Sequence, residues 1–393
     1  MKKIIFVFII LIILLGILYI KKENSSQLIL DRLKSLPYLE YSEEKQNTNI
    51  SGVTRYNKEL AYDRYTIIDE EYIIDIKGNL LVALPGTGNL KILFDDGSVI
   101  DGAWGPNIGS LAKYDKNFDL IWEKNILLHH DLRLSYNNTF LTILIEKKNY
   151  KGRAVIFDSI ARLSEEGEIL DKWSTFDHLD EIKKYHYTSR LETPLSFWDK
   201  LIHKIPAELE EYDYYHINSV QEIPKNALGE IDNRFQEGNL LVSLHSVNII
   251  IILDKDSKKI VWSLKPDLII GTHMPTMLET GNILIFDNGD EMQRSYSRVL
   301  ELNPITEEVV WRYIGTPPES FYTESRGSAQ RLPNGNTLIT ESDKGHVFEV
   351  TPDKEIVWEY YIPYFDEEGR RQVIYRTLMV DKNKIDSLLK IWE

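Results

Sequence analysis

Val299-Leu-Glu-Leu-Asn-Pro-Ile-Thr-Glu-Glu-Val-Val-Trp311 is an apolar run, a polar turn, and a second apolar run closed by tryptophan. β-Branched and aliphatic residues on either side of an Asn-Pro turn read as two paired strands. The phrase returns at Ile251–Trp262, at Val347–Trp358, at Leu111–Glu123 around Trp122 and at Ala161–Trp173. A sixth copy, Tyr72–Leu84, lacks the tryptophan. The tryptophans stand 51 residues apart from 122 to 173, 49 from 262 to 311 and 47 from 311 to 358. A period near 50 with about four strands per unit is a propeller signature. Six copies predict an all-β, six-bladed β-propeller. A two-sheet sandwich would not return its strands in so regular a phrase.

Trp173 to Trp262 is 89 residues, and the excess predicts a helical insertion over 175–215. Asp177–Tyr185 and Pro194–Ile205 are its helix-prone parts. A smaller insertion is expected at 225–237, and Asp381–Glu393 reads as a short closing helix. The propeller is therefore expected over 51–393, behind a polar stalk at 23–50. One amphipathic helix, Leu28 to Leu36, is predicted in the stalk, ended by Pro37.

Residues 4–20 are uncharged and apolar, flanked by Lys2-Lys3 and Lys21-Lys22, with no small-residue cleavage site behind them. They predict an N-terminal transmembrane signal anchor over 1–22. The expected topology is single-pass, membrane-anchored through this helix, with the bulk extracytoplasmic (periplasm or cell exterior). A cleaved signal peptide is the alternative.

No cysteine is present, which excludes disulfides, a thiol nucleophile and cysteine metal sites. A formal net charge of −15 argues against a nucleic-acid partner.

The histidines follow the repeat. His273 precedes the Gly281-Asn282 turn by eight residues. His130 precedes Asn138 by eight, and Asn137-Asn138-Thr139-Phe140-Leu141 matches Thr280-Gly281-Asn282-Ile283-Leu284. His216-Ile-Asn-Ser-Val220 matches His273-Met-Pro-Thr-Met277. Equivalent residues of innermost strands face the central channel, so these three histidines are expected to converge near its axis. His245 is placed to join them from the rim. His178, His186, His203 and His346 have no place in this register and read as surface residues. Asp131 reads as an orienter of His130, Asp287-Asn288-Gly289 as a turn, and Arg298 as either a site residue or a blade-to-blade ion pair. Three histidines suit a metal such as Zn²⁺. They suit equally a histidine nucleophile toward sulfuryl or phosphoryl groups, with a neighbour protonating the leaving oxygen. The residues alone leave both open.

His129-His130-Asp131, His216-Ile-Asn-Ser-Val220, Gly271-Thr-His273, Phe286-Asp-Asn-Gly289, Tyr296-Ser-Arg-Val299 and Gly327-Ser-Ala-Gln-Arg-Leu-Pro-Asn-Gly-Asn-Thr-Leu338 resemble, as an ordered set, the bacterial arylsulfotransferase family. Gly52-Val-Thr-Arg-Tyr-Asn-Lys-Glu-Leu-Ala-Tyr62 resembles its first blade. The resemblance spans about residues 51–362. It implies an exported six-bladed propeller that passes sulfuryl from an aryl sulfate to a phenol by a ping-pong route, without a nucleotide sulfate donor. Small-molecule aryl sulfate and phenol would be its partners, with no cofactor and no metal. His273 would be the sulfated nucleophile, with His130 and His216 binding sulfuryl oxygens and handling the phenolic proton. Asn218 would donate a nearby hydrogen bond, with His245 and Arg298 at the substrate. One departure stands out: the family resembles Val-Ser-x-Arg where this chain has Val242-Ser243-Leu244-His245. Histidine is a shorter donor than the expected arginine; Arg298 or Arg326 would have to replace it. A catalytically inactive, membrane-tethered propeller serving as a binding or scaffold module is the alternative function. A quinoprotein dehydrogenase, which normally has eight blades, ranks last.

Overall fold

The computed structural model describes residues 40–86, 88, 90–104, 109–150, 153–185, 212–290 and 293–392. Its architecture is a ring of antiparallel sheets built mostly from strands of four to six residues. Each of the six repeated phrases closes with a turn that a polar side chain ties down. Asp75 accepts from the backbone N–H of Lys77 and Asn79, Asp115 from Asn117 and Asp119, and Asn303 from Ile305 and Thr306. Ser164, Asp254 and Thr351 do the same at their turns. These are the Asx and Ser/Thr turns that the sequence repeat reports.

The expectation of six separate blades is corrected by the hydrogen bonding between strands. Four sheets stand as separate blades. The first joins Tyr65–Ile68, Tyr72–Ile74 and Leu80–Ala83 to the C-terminal strand Thr377–Val380. The others run Ile217–Glu222 to Ile260–Ser263, Thr272–Met277 to Val309–Tyr313, and Ser328–Arg331 to Ile356–Tyr361. The last of these carries Gly52–Tyr56 on its outer edge. Leu90 to Ser174, where two further blades were expected, belongs to one nine-stranded sheet. A parallel pair, Leu128 with Trp104, joins its two antiparallel halves. Periodicity reports turns and alternation along the chain; it carries no information on whether neighbouring sheets share a hydrogen-bonded pair.

Apolar side chains fill the space between successive sheets. Ile250 and Ile252 meet Ile283, Ile285 and Leu300. Leu284 and Phe286 meet Ile339 and Phe348, and Leu338 and Val347 meet Ile68 and Ile74. The tryptophans that mark the repeat add a staple. Trp262 Nε1 donates to Pro304 O at 3.0 Å, Trp311 to Pro352 O at 2.8 Å and Trp358 to Ile76 O at 2.8 Å. Each indole thus satisfies a turn carbonyl of the next sheet while its ring packs in between. Helix α1, Leu179–Ile182, opens the long insertion, and helix α2, Lys382–Trp392, closes the chain. Ile385 and Leu388 of α2 pack beside Val99, and Trp392 caps Gly97 O.

The long insertion is described at its two ends. It returns as Tyr212–Asp213, parallel to Val155–Ile156. The expected helix Pro194–Ile205, His186 and His203 lie outside the described residues. Tyr41–Lys45, in the segment expected as a stalk, pairs with Arg370–Gln372. The expected transmembrane anchor has no counterpart in the described part of the chain: no helix among the described residues is long and apolar enough to cross a membrane. Residues 1–39, on which that expectation fell, lie outside them. The expected membrane partner and extracytoplasmic location rest on that same segment.

Candidate active site

Strand 128–134, from the middle of the nine-stranded sheet, lies against 217–222, which lies against 272–277, which lies against 328–331, the last three being the first strands of their sheets. In a regular strand, neighbouring side chains point to opposite faces. Here the pairing slips in the first three, between His129 and Leu132, Ile217 and Ser219, and His273 and Thr276. Beside each slip one residue is left-handed: His130 at φ 49°, His216 at 51° and Met274 at 49°. Such backbone costs about 1–3 kcal/mol per non-glycine residue and gathers at functional sites. The three expected histidines therefore do not share one backbone position. In the third strand the left-handed residue follows the histidine.

The bulges gather five imidazoles into a run. Ring centroids are 4.1 Å apart for His129 and His130, 4.4 Å for His130 and His216, 5.2 Å for His216 and His245, and 4.9 Å for His245 and His273. All but His245 are buried. Trp104 lies 4.2 Å from the His130 ring.

Four of the five rings are held through Nδ1. His273 Nδ1 is 2.8 Å from Asn288 Oδ1. Asn288 donates its amide hydrogens to Thr323 O and Arg326 O, which fixes Oδ1 as the acceptor. The His273 proton is therefore on Nδ1, and Nε2 carries a lone pair, which accepts the Arg326 backbone N–H at 3.2 Å. Tyr375 donates its hydroxyl proton to His130 O, so its oxygen accepts from His130 Nδ1 at 3.0 Å. His130 Nε2 is buried without a hydrogen-bond partner. His216 Nδ1 meets Asp213 Oδ2 at 2.5 Å, and His129 Nδ1 meets Asp158 Oδ1 at 2.8 Å.

Burial drives His273 down to about 4; the nearby His216 and Arg326 charges add to this, against the Asn288 hydrogen bond. Burial, then the other four histidines, holds His130 well below its ordinary value. His129 is buried too, yet Asp158 and then Asp213 raise it above the ordinary range. Burial alone would raise Asp213, but His216 and His129 hold it low. His130 and His273 are thus kept neutral, while His129 and His216 are backed by carboxylates.

The remaining expected residues take supporting places. Asn218 donates to Thr272 O at 2.7 Å, tying the His216 strand to the His273 strand. Arg298 closes on Asp287 Oδ2 at 2.5 Å and Leu268 O at 2.7 Å. Asp287 in turn accepts from Ile270 N, so this ion pair shores up the loop entering His273. Asp131 does not orient His130. It binds Arg133, Arg376 and Val220 N. His346 is not a surface residue: it is buried between Glu341 and Glu359, against Tyr361. His178 stacks on Trp173 at the start of α1.

Sequence reasoning missed His129, Asn288, Asp158, Asp213 and Tyr375 as members of the site. The His129-His130 doublet and the asparagine in Asp287-Asn288-Gly289 were visible signals. Asp213, three residues before His216, was a local signal too, whereas Asp158 and Tyr375 come from distant segments and gave none.

The model of the arylsulfotransferase (ASST) family matches residues 87–362. The chain belongs to the arylsulfotransferase family. The matched span holds all five rings of the run and the Asn288 and Asp213 that orient two of them; Tyr375, on His130, lies beyond it. Sulfotransferase-like activity is thereby supported at the level of the family. Among proteins of curated function, none matches this arylsulfotransferase-family chain. Solved structures are similar only at low identity and with TM-scores below 0.5. A protein of unknown function from Bacteroides caccae is 13% identical, with 82% of this chain and 100% of that one covered and a TM-score of 0.48. A catalytically inactive virginiamycin B lyase from Staphylococcus aureus, bound to quinupristin, is 12% identical, covering 70% and 69%, with a TM-score of 0.39. A streptogramin B lyase is 10% identical, covering 87% and 97%, with a TM-score of 0.42.

Proposed function

We propose that this member of the arylsulfotransferase family moves a sulfuryl group from an aryl sulfate to a phenol through a sulfo-histidine at His273, with no nucleotide donor. The observation that carries the reading is the fixed tautomer of His273: proton on Nδ1, lone pair on Nε2, ring buried and neutral. Nε2 attacks the sulfur and the bond from sulfur to the aryl oxygen breaks. The imidazole keeps its Nδ1 proton on Asn288 and becomes cationic, which offsets the charge of the sulfuryl group. The Arg326 N–H that Nε2 had accepted then turns to a sulfuryl oxygen.

His216, backed by Asp213, is the proton carrier. It gives a proton to the departing aryl oxide and takes one from the incoming phenol. The phenol oxygen then attacks sulfur, the nitrogen–sulfur bond breaks, and His273 is restored. His130 offers Nε2 as a second acceptor for the phenolic proton. His245 stands between His216 and His273, where the family resemblance expects an arginine, and serves as a donor to sulfuryl oxygen.

The test is 4-nitrophenyl sulfate turnover by the full chain, with and without a phenol acceptor. Acceptor-dependent nitrophenolate release, a sulfuryl mass on His273 and loss of both in His273→Ala support the proposal. Absence of release in the wild type and in His245→Arg would leave the chain a binding module.

A further inference from the structure

We infer that His129, His130 and His216 form a binding site for a divalent transition-metal ion of the Zn²⁺ class, whose occupation would take the ring nitrogens that the proposed sulfuryl transfer uses for protons and so inhibit it. One ring nitrogen from each lies within 4.8 Å of the other two. The three centroids are separated by 4.1, 4.4 and 5.1 Å. Three imidazoles sharing a tetrahedral Zn²⁺ at about 2.0–2.1 Å have centroids about 5 Å apart, so small ring movements close the set.

The local backbone is what permits it. His129 and His130 are consecutive, and an ordinary strand would aim them to opposite faces. The left-handed φ of 49° at His130 turns both rings to the same side.

The outer partners have the form of a metal site. A ligating histidine donates its other ring N–H to a carboxylate or similar acceptor, which orients the ring and sharpens its lone pair. Here all three rings are engaged through Nδ1, by Asp158, the Tyr375 oxygen and Asp213. The His130 Nε2 left over is buried and has no protein partner. His129 Nε2 lies 3.9 Å from Asp213 Oδ2. Asp158 and Asp213 place two buried carboxylates behind the rings, which offsets the charge of a dication. Neutral imidazoles with no sulfur and one open position suit Zn²⁺, Co²⁺ or Ni²⁺ better than Mg²⁺ or Ca²⁺.

The test titrates the full chain with Co²⁺ and Zn²⁺ alone, with no sulfate ester present. We expect one equivalent bound, a tetrahedral Co²⁺ absorption band that Zn²⁺ displaces, and a saturable rise in Tm with Zn²⁺. His129→Ala should weaken binding at least 100-fold, and Asp158→Asn about 10–100-fold. His346→Gln, at a buried histidine outside the cluster, should leave binding unchanged. Lack of stoichiometric binding by folded wild type would overturn the inference, as would binding unaltered in His129→Ala. If His129→Ala does not fold, the wild-type Co²⁺ band decides: a spectrum without nitrogen ligation in a tetrahedral field also overturns it. Because the readout is metal and not turnover, failure here leaves the sulfuryl-transfer proposal standing, and failure there leaves this one standing.

Discussion

Asn288 accepts the Nδ1 proton of His273 at 2.8 Å while its own amide hydrogens are held by two backbone carbonyls. The arrangement locks an amide that would otherwise flip, and through it a ring that would otherwise choose between two tautomers. A turn residue thereby determines which nitrogen of the histidine is nucleophilic.

Asn288→Ala removes that lock and leaves the carbonyls of Thr323 and Arg326 without a donor. Its kcat should fall about 100-fold with KM little changed, because misplacement of the attacking atom is felt in the transition state. Asn288→Asp keeps an acceptor but sets a carboxylate on the ring, which raises the His273 pKa from about 4. The acid limb of its pH–rate profile should move toward neutral pH. A profile identical to wild type would show that Asn288 does not act through His273.

The depressed pKa of His273 also bears on stability. Its folded value of about 4 lies below the ordinary 6.5. Between these values the unfolded chain takes up a proton that the folded protein refuses, so stability falls as pH falls from about 6.5 toward about 4. The full effect for one group is about 3 kcal/mol. Urea unfolding across this window should show the slope, and His273→Gln should flatten it. His130, also held low, contributes in the same direction.

His346 works with the opposite sign. Burial opposes its charge, but Glu341 and Glu359 on either side raise its pKa above the ordinary value. Its contribution is complete below the unfolded pKa and is lost as pH rises through the raised folded value. The stability difference between wild type and His346→Gln should therefore be larger at about pH 5 than at about pH 8.5. Equal differences at both values would mean that the ring acts only through packing.

Trp358 staples the last sheet to the first. Trp358→Phe keeps most of the ring and removes the donor to Ile76 O, at about 1 kcal/mol. Trp358→Ala removes a side chain with 0% exposure and should destabilise by about 3–5 kcal/mol. Both are read from chemical denaturation with unchanged slope. A Phe variant as unstable as the Ala variant would place the whole effect in the hydrogen bond.

Much of the fold was legible along the chain because its signals are local. Alternating apolar residues, a capping Asp, Asn, Ser or Thr, and a tryptophan about every 50 residues act within one strand pair. The convergence of His130, His216 and His273, with His245 beside them, was legible because a repeat brings corresponding strands to one axis, although the three histidines do not share one backbone position.

What lay beyond the sequence depends on groups distant in the chain. Leu128 and Trp104 fuse two halves into one nine-stranded sheet through a contact that no local pattern encodes. The left-handed bulges turn His129 beside His130, against the alternation that the sequence predicts. Asp213, a sequence neighbour of His216, comes near His129 as well because the long insertion returns along Val155–Ile156, and Tyr375 reaches His130 across 245 residues. The sequence by itself determined the strands, the turns and the histidines. The tertiary structure decided which nitrogen of each ring is available, because burial and hydrogen-bond partners set tautomer and charge, and those partners are brought together only by the closed ring of sheets.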